Sequence, residues 1–203
     1  QICISWNVLI QKHRRDYRMI KSWLKQPPLY PVYHLIWDAV DWLFPPTCAG
    51  CGTPGERWCY RCQEASKYNL IQYCPTCGNI QSSSDICKNC RDNPPDYTQL
   101  RFWGLFTGPL REAIHQLKYK NDITLGDIFA QNMIDVSNMM KWHVDFITPI
   151  PLHPNKLRNR GYNQSAMLAL PMALKLRIPY SPRAISRIRD THSQVGLNFN
   201  QRM

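Results

Sequence analysis

Eight of the nine cysteines fall into four C-x-x-C pairs: Cys48/Cys51, Cys59/Cys62, Cys74/Cys77 and Cys87/Cys90. Two intervening residues let both thiolates of a pair reach one ion, and two pairs complete a tetrahedral four-thiolate site with no open position. Disulfides are the alternative chemistry, but cysteines this close make poor structural disulfides and no export signal is visible. Two structural Zn2+ ions are therefore expected. Seven residues lie between Cys51 and Cys59 and nine between Cys77 and Cys87. That spacing favours Cys48, Cys51, Cys59 and Cys62 on one ion and Cys74, Cys77, Cys87 and Cys90 on the other, although it also admits an interleaved cross-brace. Each ion can supply on the order of 10 kcal/mol of folding energy to a segment too short for a core of its own. Cys3 stands apart as an unpaired thiol.

A second stretch with chemical potential runs from Asp145 to Gln164, DFITPIPLHPNKLRNRGYNQ. It begins as an apolar run suited to a buried strand and ends at prolines. It continues as a loop carrying His153, Lys156, Arg158 and Arg160, closes on Gly161, and delivers Asn163 and Gln164 to a helix start. Strand, basic glycine-containing loop and helix N-terminus together favour an anion, through backbone N–H groups, the helix dipole and guanidinium groups. A solvated surface loop is the plain alternative.

The charge distribution agrees with an anionic partner. Of 25 Lys+Arg against 14 Asp+Glu, residues 1–47 hold six and three, residues 48–99 five and five, and residues 100–203 fourteen and six. The net charge of +11 therefore lies mainly in the C-terminal half, which fits nucleic acid, a nucleotide or a phosphorylated small molecule. With no apolar run of about 18 residues and no signal-peptide pattern, a cytoplasmic protein is expected.

These residues need elements to position them. Residues 1–30 read as a basic leader, expected to be a poorly ordered extension. In 31–47, Val32, Ile36, Ala39, Val40 and Leu43 recur at helical spacing, so an amphipathic helix is expected ahead of the cysteines. The double zinc ribbon occupies 48–92, and a polar linker separates it from a domain at 99–203. There, Leu100–Phe106 is a strand candidate, Leu110, Ala113, Ile114 and Leu117 line a helix opened by Pro109, and His115 beside that stripe is read as structural. Leu125 to Met140 outlines another helix, Asn163 to Leu176 a third that Pro171 should kink, and Ala184–Ile188 a last strand. The order strand, helix, helix, strand, helix, strand predicts an α/β fold with a parallel sheet.

Both halves resemble one family, the competence protein F (ComF, or GntX-like) proteins, which join a double zinc ribbon to a phosphoribosyltransferase-like domain. The resemblance covers about Ala39 to Met203. It rests on LFPPTCAGC, the four-knuckle array, LREAIHQLKYK at 110–120, ITPIPLHPNKLRNRGYNQS at 147–165 and IRDTHSQVGLNFNQR at 188–202. It implies a type I phosphoribosyltransferase fold whose loop grips phosphoribosyl pyrophosphate, or a related sugar phosphate, with Mg2+. Pro151 to Pro154, with His153, Arg158, Arg160, Gly161, Asn163 and Gln164, would form that loop, and Arg189, Thr191, Gln194 and Arg202 the motif crossing over the ligand. Guanidinium groups suit phosphate oxygens, and Asn and Gln suit ribose hydroxyls. The family's adjacent acidic pair and Thr-Thr-Gly turn are absent from this sequence, so the chain is expected to be a catalytically incomplete fragment.

Two functional readings follow. In the first, the protein is a phosphoribosyltransferase-family enzyme or ligand-binding protein linked to DNA uptake in natural transformation, working by positioning and electrostatics on the pyrophosphate leaving group. In the second, zinc ribbons and a basic C-terminal surface make an adaptor that binds single-stranded DNA, and DNA-uptake proteins, without transferase activity. Trp58, Tyr60, Tyr68 and Tyr73 are its candidates for stacking on bases, or else the small core each ribbon needs.

Overall fold

Leu110, Ala113, Ile114 and Leu117 turn one side of a twelve-residue helix inward, all four buried, and the fold is assembled against that stripe. The computed structural model describes residue 35 and residues 45–67 and 72–190. The leader, nearly all of the expected helix at 31–47, Cys3, Tyr68, and the segment with Thr191, Gln194 and Arg202 lie outside the described residues. Within residues 45–67 and 72–190 the described helices are, in chain order, α1 (Tyr60–Ser66), α2 (Lys88–Asp92), α3 (Gly108–Tyr119), α4 (Leu125–Met139), α5 (Pro154–Arg160) and α6 (Gln164–Leu176).

The most extensive helix pairing is α4 on α6; α1 and α4 both pack on α3. Helix α4 serves two core clusters because its apolar residues are spread over a wide arc. Leu125 and Phe129 join Leu110, Ile114, Leu117 and Leu168, while Ala130 and Ile134 join Ile147, Ala169, Met172 and Ala173. A ring group of Trp58, Trp103 and Phe129 closes the first cluster, with Trp58 edge-on to Phe129 at 5.5 Å and to Trp103 at 6.4 Å. A cavity of about 30 Å³ is left beside Trp103, Phe106, Phe129 and Leu168, room for about one water and no more.

The α4–α6 crossing depends on two residues with opposite conformational habits. Pro171 sits inside α6 and lacks the N–H that would bond the Met167 carbonyl. Gly126 of α4 packs against that position: a Cβ there would fall 2.6 Å from Met167 Cβ and 2.7 Å from its carbonyl oxygen. Backbone cannot yield as a flexible side-chain tip does. Gly126→Ala is therefore expected to lower stability by about 1–3 kcal/mol, read as a shifted midpoint in denaturant unfolding; an unchanged midpoint would show that α6 moves aside freely.

The expected sheet is absent from the described residues. Among the described residues there is no strand, and extended segments meet only in isolated bridges, Thr47 with Pro54, Lys67 with Gly104, Tyr73 with Ile80 and Ile147 with Tyr180. The last is parallel, held by Ile147 N–H to the Pro179 carbonyl (2.8 Å) and Ser181 N–H to the Ile147 carbonyl (2.9 Å). Its growth is limited by sequence: Pro149 and Pro151 on one side and Pro179 and Pro182 on the other remove ladder donors. Leu100–Phe106 is spent differently, with Trp103 and Phe106 packed on the helical core and Gly104 alone bridged to Lys67. Ala184–Ile188 is largely exposed and unpaired into any strand.

This overturns the expectation of an α/β, phosphoribosyltransferase-like parallel sheet. A phosphoribosyl pyrophosphate loop is held at the end of a sheet strand, and the described residues supply none. The readings that depended on that scaffold go with it: phosphoribosyl pyrophosphate or a sugar phosphate as partner, Mg2+ as its companion, and transferase chemistry.

Candidate metal centres

The four knuckles fold as two copies of one local design. In the first, Cys48 N–H bonds the Thr53 carbonyl (2.8 Å) and Gly52 N–H the Cys48 carbonyl (2.7 Å); in the second, Cys74 N–H bonds the Asn79 carbonyl (2.8 Å) and Gly78 N–H the Cys74 carbonyl (2.9 Å). Each turn places a glycine at positive φ, +77° at Gly52 and +69° at Gly78, where a Cβ would strain the backbone. The second half of each copy is a helix start. Cys59 and Cys87 are the N-caps of α1 and α2, and Cys62 and Cys90 lie one turn further on.

This brings consecutive knuckles together, not interleaved ones. The sulfurs of Cys48, Cys51, Cys59 and Cys62 lie within 4.8 Å of one another, as do those of Cys74, Cys77, Cys87 and Cys90. Zinc–sulfur bonds of about 2.3 Å in a tetrahedron set neighbouring sulfurs about 3.8 Å apart. Cys51 and Cys59 are separated by 3.7 Å, and so are Cys77 and Cys87. Backbone N–H groups add support from outside, Cys59 N–H to Cys48 Sγ at 3.4 Å and Cys87 N–H to Cys74 Sγ at 3.3 Å. Both donor sets fit structural Zn2+.

The thiols are already split in their acidity. The Thr53 hydroxyl and then its backbone N–H hold Cys51 down at about 6, against an ordinary 9.0. Burial opposes ionisation of Cys74, but N–H groups of Cys87, Cys77 and Thr76 outweigh it and hold that thiol at about 6 as well. Burial, then hydrogen bonds from neighbouring thiols, pushes Cys62 up and Cys90 up to about 12. Zinc requires all four sulfurs as thiolates, so binding expels protons, chiefly from the raised members. The depressed pair favours the fold above the ordinary value and loses that contribution as pH falls through about 6. Because protons compete with zinc for all four sulfurs, zinc occupancy is expected to fall as pH is lowered from neutral, followed by release to a chromogenic indicator. Full retention at pH 4 would argue against thiolate ligation.

The two centres are embedded differently. Cys48, Ala49, Trp58 and Cys62 belong to the same buried cluster as the α3 stripe. Gln116 Nε2 donates to the Ala49 carbonyl (2.9 Å), and Gln63 Nε2 donates to Asn132 Oδ1 (2.7 Å), joining α1 to α4. The second centre belongs to neither core cluster. It is tied to the chain that follows it by Leu100 N–H to the Thr76 carbonyl (2.7 Å) and Arg101 to the Pro75 carbonyl (2.7 Å), with the Arg101 guanidinium 5.3 Å from the Tyr73 ring centre.

The basic stretch is a helix where a loop was expected. His153 is the N-cap of α5, its Nδ1 accepting from Asn155 N–H, and Gly161 is the left-handed C-cap at φ +83°. His153 Nδ1 also lies 3.3 Å from Asp190, to which Asn155 donates at 2.7 Å, while Arg158 donates to Asn155 Oδ1 at 2.6 Å. Arg160 turns elsewhere, donating to Gln164 Oε1 (2.5 Å) with its guanidinium 5.4 Å from the Tyr119 ring centre. Asn163 caps α6 and donates to the Ile150 carbonyl (2.9 Å). Arg189 is exposed, and Gln194 and Arg202 lie outside the described residues. Of the stacking candidates, Trp58 is core, Tyr60 is exposed, and Tyr73 lies under Arg101. Thr53, which tunes Cys51, and the exposed Tyr119 were missed. The K-Y-K tripeptide at the end of an amphipathic helix was the available signal for the latter.

Comparison with known proteins gives a consistent picture. The double zinc ribbon domain matches residues 39–91. The chain is 27% identical over 150 residues to competence protein F of Haemophilus influenzae, covering 71% of this chain and 65% of that protein. It is likewise 27% identical over 150 residues to the DNA utilization protein YhgH of Escherichia coli K12, with 71% and 66% covered. To competence protein ComFC of Bacillus subtilis it is 25% identical over 130 residues, 57% of this chain and 51% of the relative. The chain thus spans about two thirds of the length of the first two. No solved structure matches it.

Proposed function

For a chain that belongs to the competence protein F family and carries its double zinc ribbon, we propose the function of a zinc-ribbon adaptor that binds single-stranded DNA without transferase activity. One observation carries this reading. Among the described residues, Arg158 and Arg160 are held by amide oxygens, Asn155 Oδ1 and Gln164 Oε1, and neither forms a direct ion pair with a carboxylate. Their guanidinium groups are oriented without direct carboxylate pairing, the nearest acidic partner being Asp190 one amide beyond Arg158, a state suited to phosphate oxygens. The surrounding residues 100–203 hold fourteen basic against six acidic side chains, so the field around the pair attracts a polyanion.

The thiolate centres fit the same role. Closed four-sulfur sites supply folding energy and leave no position for a substrate. The ribbon at 48–92 would then pin the protein's shape and offer surface to DNA-uptake proteins, while the domain at 99–203 takes the strand. The relatives' names, competence protein and DNA utilization protein, support a DNA-linked role. No helix among the described residues is long and apolar enough to cross a membrane, and we place the protein in the cytoplasm, where thiols remain reduced.

The test is fluorescence anisotropy of a labelled oligothymidylate with the zinc-loaded chain, with duplex DNA as competitor. Binding near physiological salt that duplex displaces poorly is the expected result. Failure to bind the single strand, or preference for duplex, would refute the reading.

A further inference from the structure

Tyr119 closes α3 but lies off its buried stripe, and 61% of it is exposed. Packing does not account for a large aromatic in that position. Its surroundings are cationic. The Arg160 guanidinium lies over the ring and the exposed Lys120 follows it in the chain, while the Lys118 ammonium turns to the Phe106 ring at 6.0 Å. His115, one turn back, meets the ring at 5.5 Å and 53°. Glu112, two turns back, is the exposed acidic residue of the helix.

The placement is enforced from below. The Tyr162 hydroxyl donates to the Leu117 carbonyl, one of the orphan acceptors at the end of α3. That contact fixes the α5–α6 connection against the helix end, and the Gln164 bond then aims Arg160 at the ring. Aromatic faces bordered by cations are how proteins receive unpaired bases, the ring taking the base and the cations the adjacent phosphates.

Resting on the nucleic-acid reading above, we propose that Tyr119 is a stacking platform for one unpaired base of single-stranded DNA. Arg160 orients the ring and, with Lys120, meets the flanking phosphates. Stacking needs an open base face, so this site also gives the protein its preference for single strand over duplex. The plain alternative is that Tyr119 only covers the Arg160 side chain.

The experiment compares Tyr119→Ala, Tyr119→Phe and Tyr119→Trp in the zinc-loaded full chain, after circular dichroism has confirmed unchanged helix content. Probes are an oligothymidylate and an abasic oligonucleotide of equal length. Tyr119→Ala is expected to weaken oligothymidylate binding roughly tenfold or more without altering its salt dependence. The aromatic replacements should retain wild-type affinity, and the abasic strand should bind all four proteins alike. Wild-type affinity in Tyr119→Ala, or an equal loss on the abasic strand, would overturn the stacking role while leaving the adaptor reading intact. Absence of binding by the wild-type chain itself would remove both.

Discussion

Cys62→Ser and Cys90→Ser are each expected to reduce bound zinc from two ions to one per chain, yet to differ sharply in what else they cost. Cys62 is buried in the cluster that also holds Leu110, Ile114, Leu117 and Phe129. The turn at Gly50 presses on α3 so closely that a Cβ there would lie 2.7 Å from Pro109 Cβ and 2.8 Å from Cys62 Sγ. Losing the first ion should therefore withdraw a wall of the helical core, a large share of the roughly 10 kcal/mol a structural zinc supplies. The main thermal transition should fall by more than about 10 °C. Cys90 lies outside both clusters, and its loss should unfold residues 72–92 locally and leave the helical transition within about 3 °C. Zinc content by atomic emission and melting by circular dichroism check both halves. Equal destabilisation by the two variants would mean that the second centre is coupled to the helices as tightly as the first.

Reversing Arg158 and Arg160 together to glutamate is expected to produce the largest change in DNA binding. Two lost phosphate contacts on a single strand cost about 25-fold at 0.1 M salt, and repulsion brings the total to roughly a hundredfold. The fold should survive, because α5 contributes no buried residue. Lys67→Glu is the control: Lys67 is already paired with Glu64 in the structure, so its reversal should alter affinity by less than about threefold. Anisotropy titrations of the three proteins decide the matter. A logarithmic loss in Lys67→Glu half that of the double variant, in proportion to its charge change of −2 against −4, would reduce the effect to net charge, and no loss in the double variant would remove α5 from the interface.

The metal centres were legible in the sequence because their signal is local. Two residues between cysteines fix what one ion can reach, and glycines at 52 and 78 mark the turns. The α3 stripe was legible for a similar reason, since Leu110, Ala113, Ile114 and Leu117 share a face at a period set by the helix itself. The sheet was misread where propensity and context part company. Leu100–Phe106 is aromatic and apolar enough for a strand, yet its rings pack onto Phe129 and Trp58, a contact no local pattern encodes. At Phe146–Ile150 the prolines were treated as the end of a strand, when they already limited pairing to a single bridge. His153 to Arg160 looked like a loop because of its charge and its closing glycine, although Pro154 at the first helical position and Gly161 at the C-cap are helix punctuation. Trp58 stays open in the sequence between a base-stacking surface and a core residue because its partners, Trp103 and Phe129, lie 45 and 71 positions away.

The central claim, cations oriented by amide oxygens that receive single-strand phosphates, is tested most directly by the salt dependence of binding. For the zinc-loaded wild-type chain on an oligothymidylate, log K should fall with log salt at a slope of about −1.4 or steeper, the value for two or more single-strand phosphates. Arg158→Ala with Arg160→Ala should flatten that slope by about 1.4. A wild-type slope near zero, or the same slope in the double variant, would contradict the account.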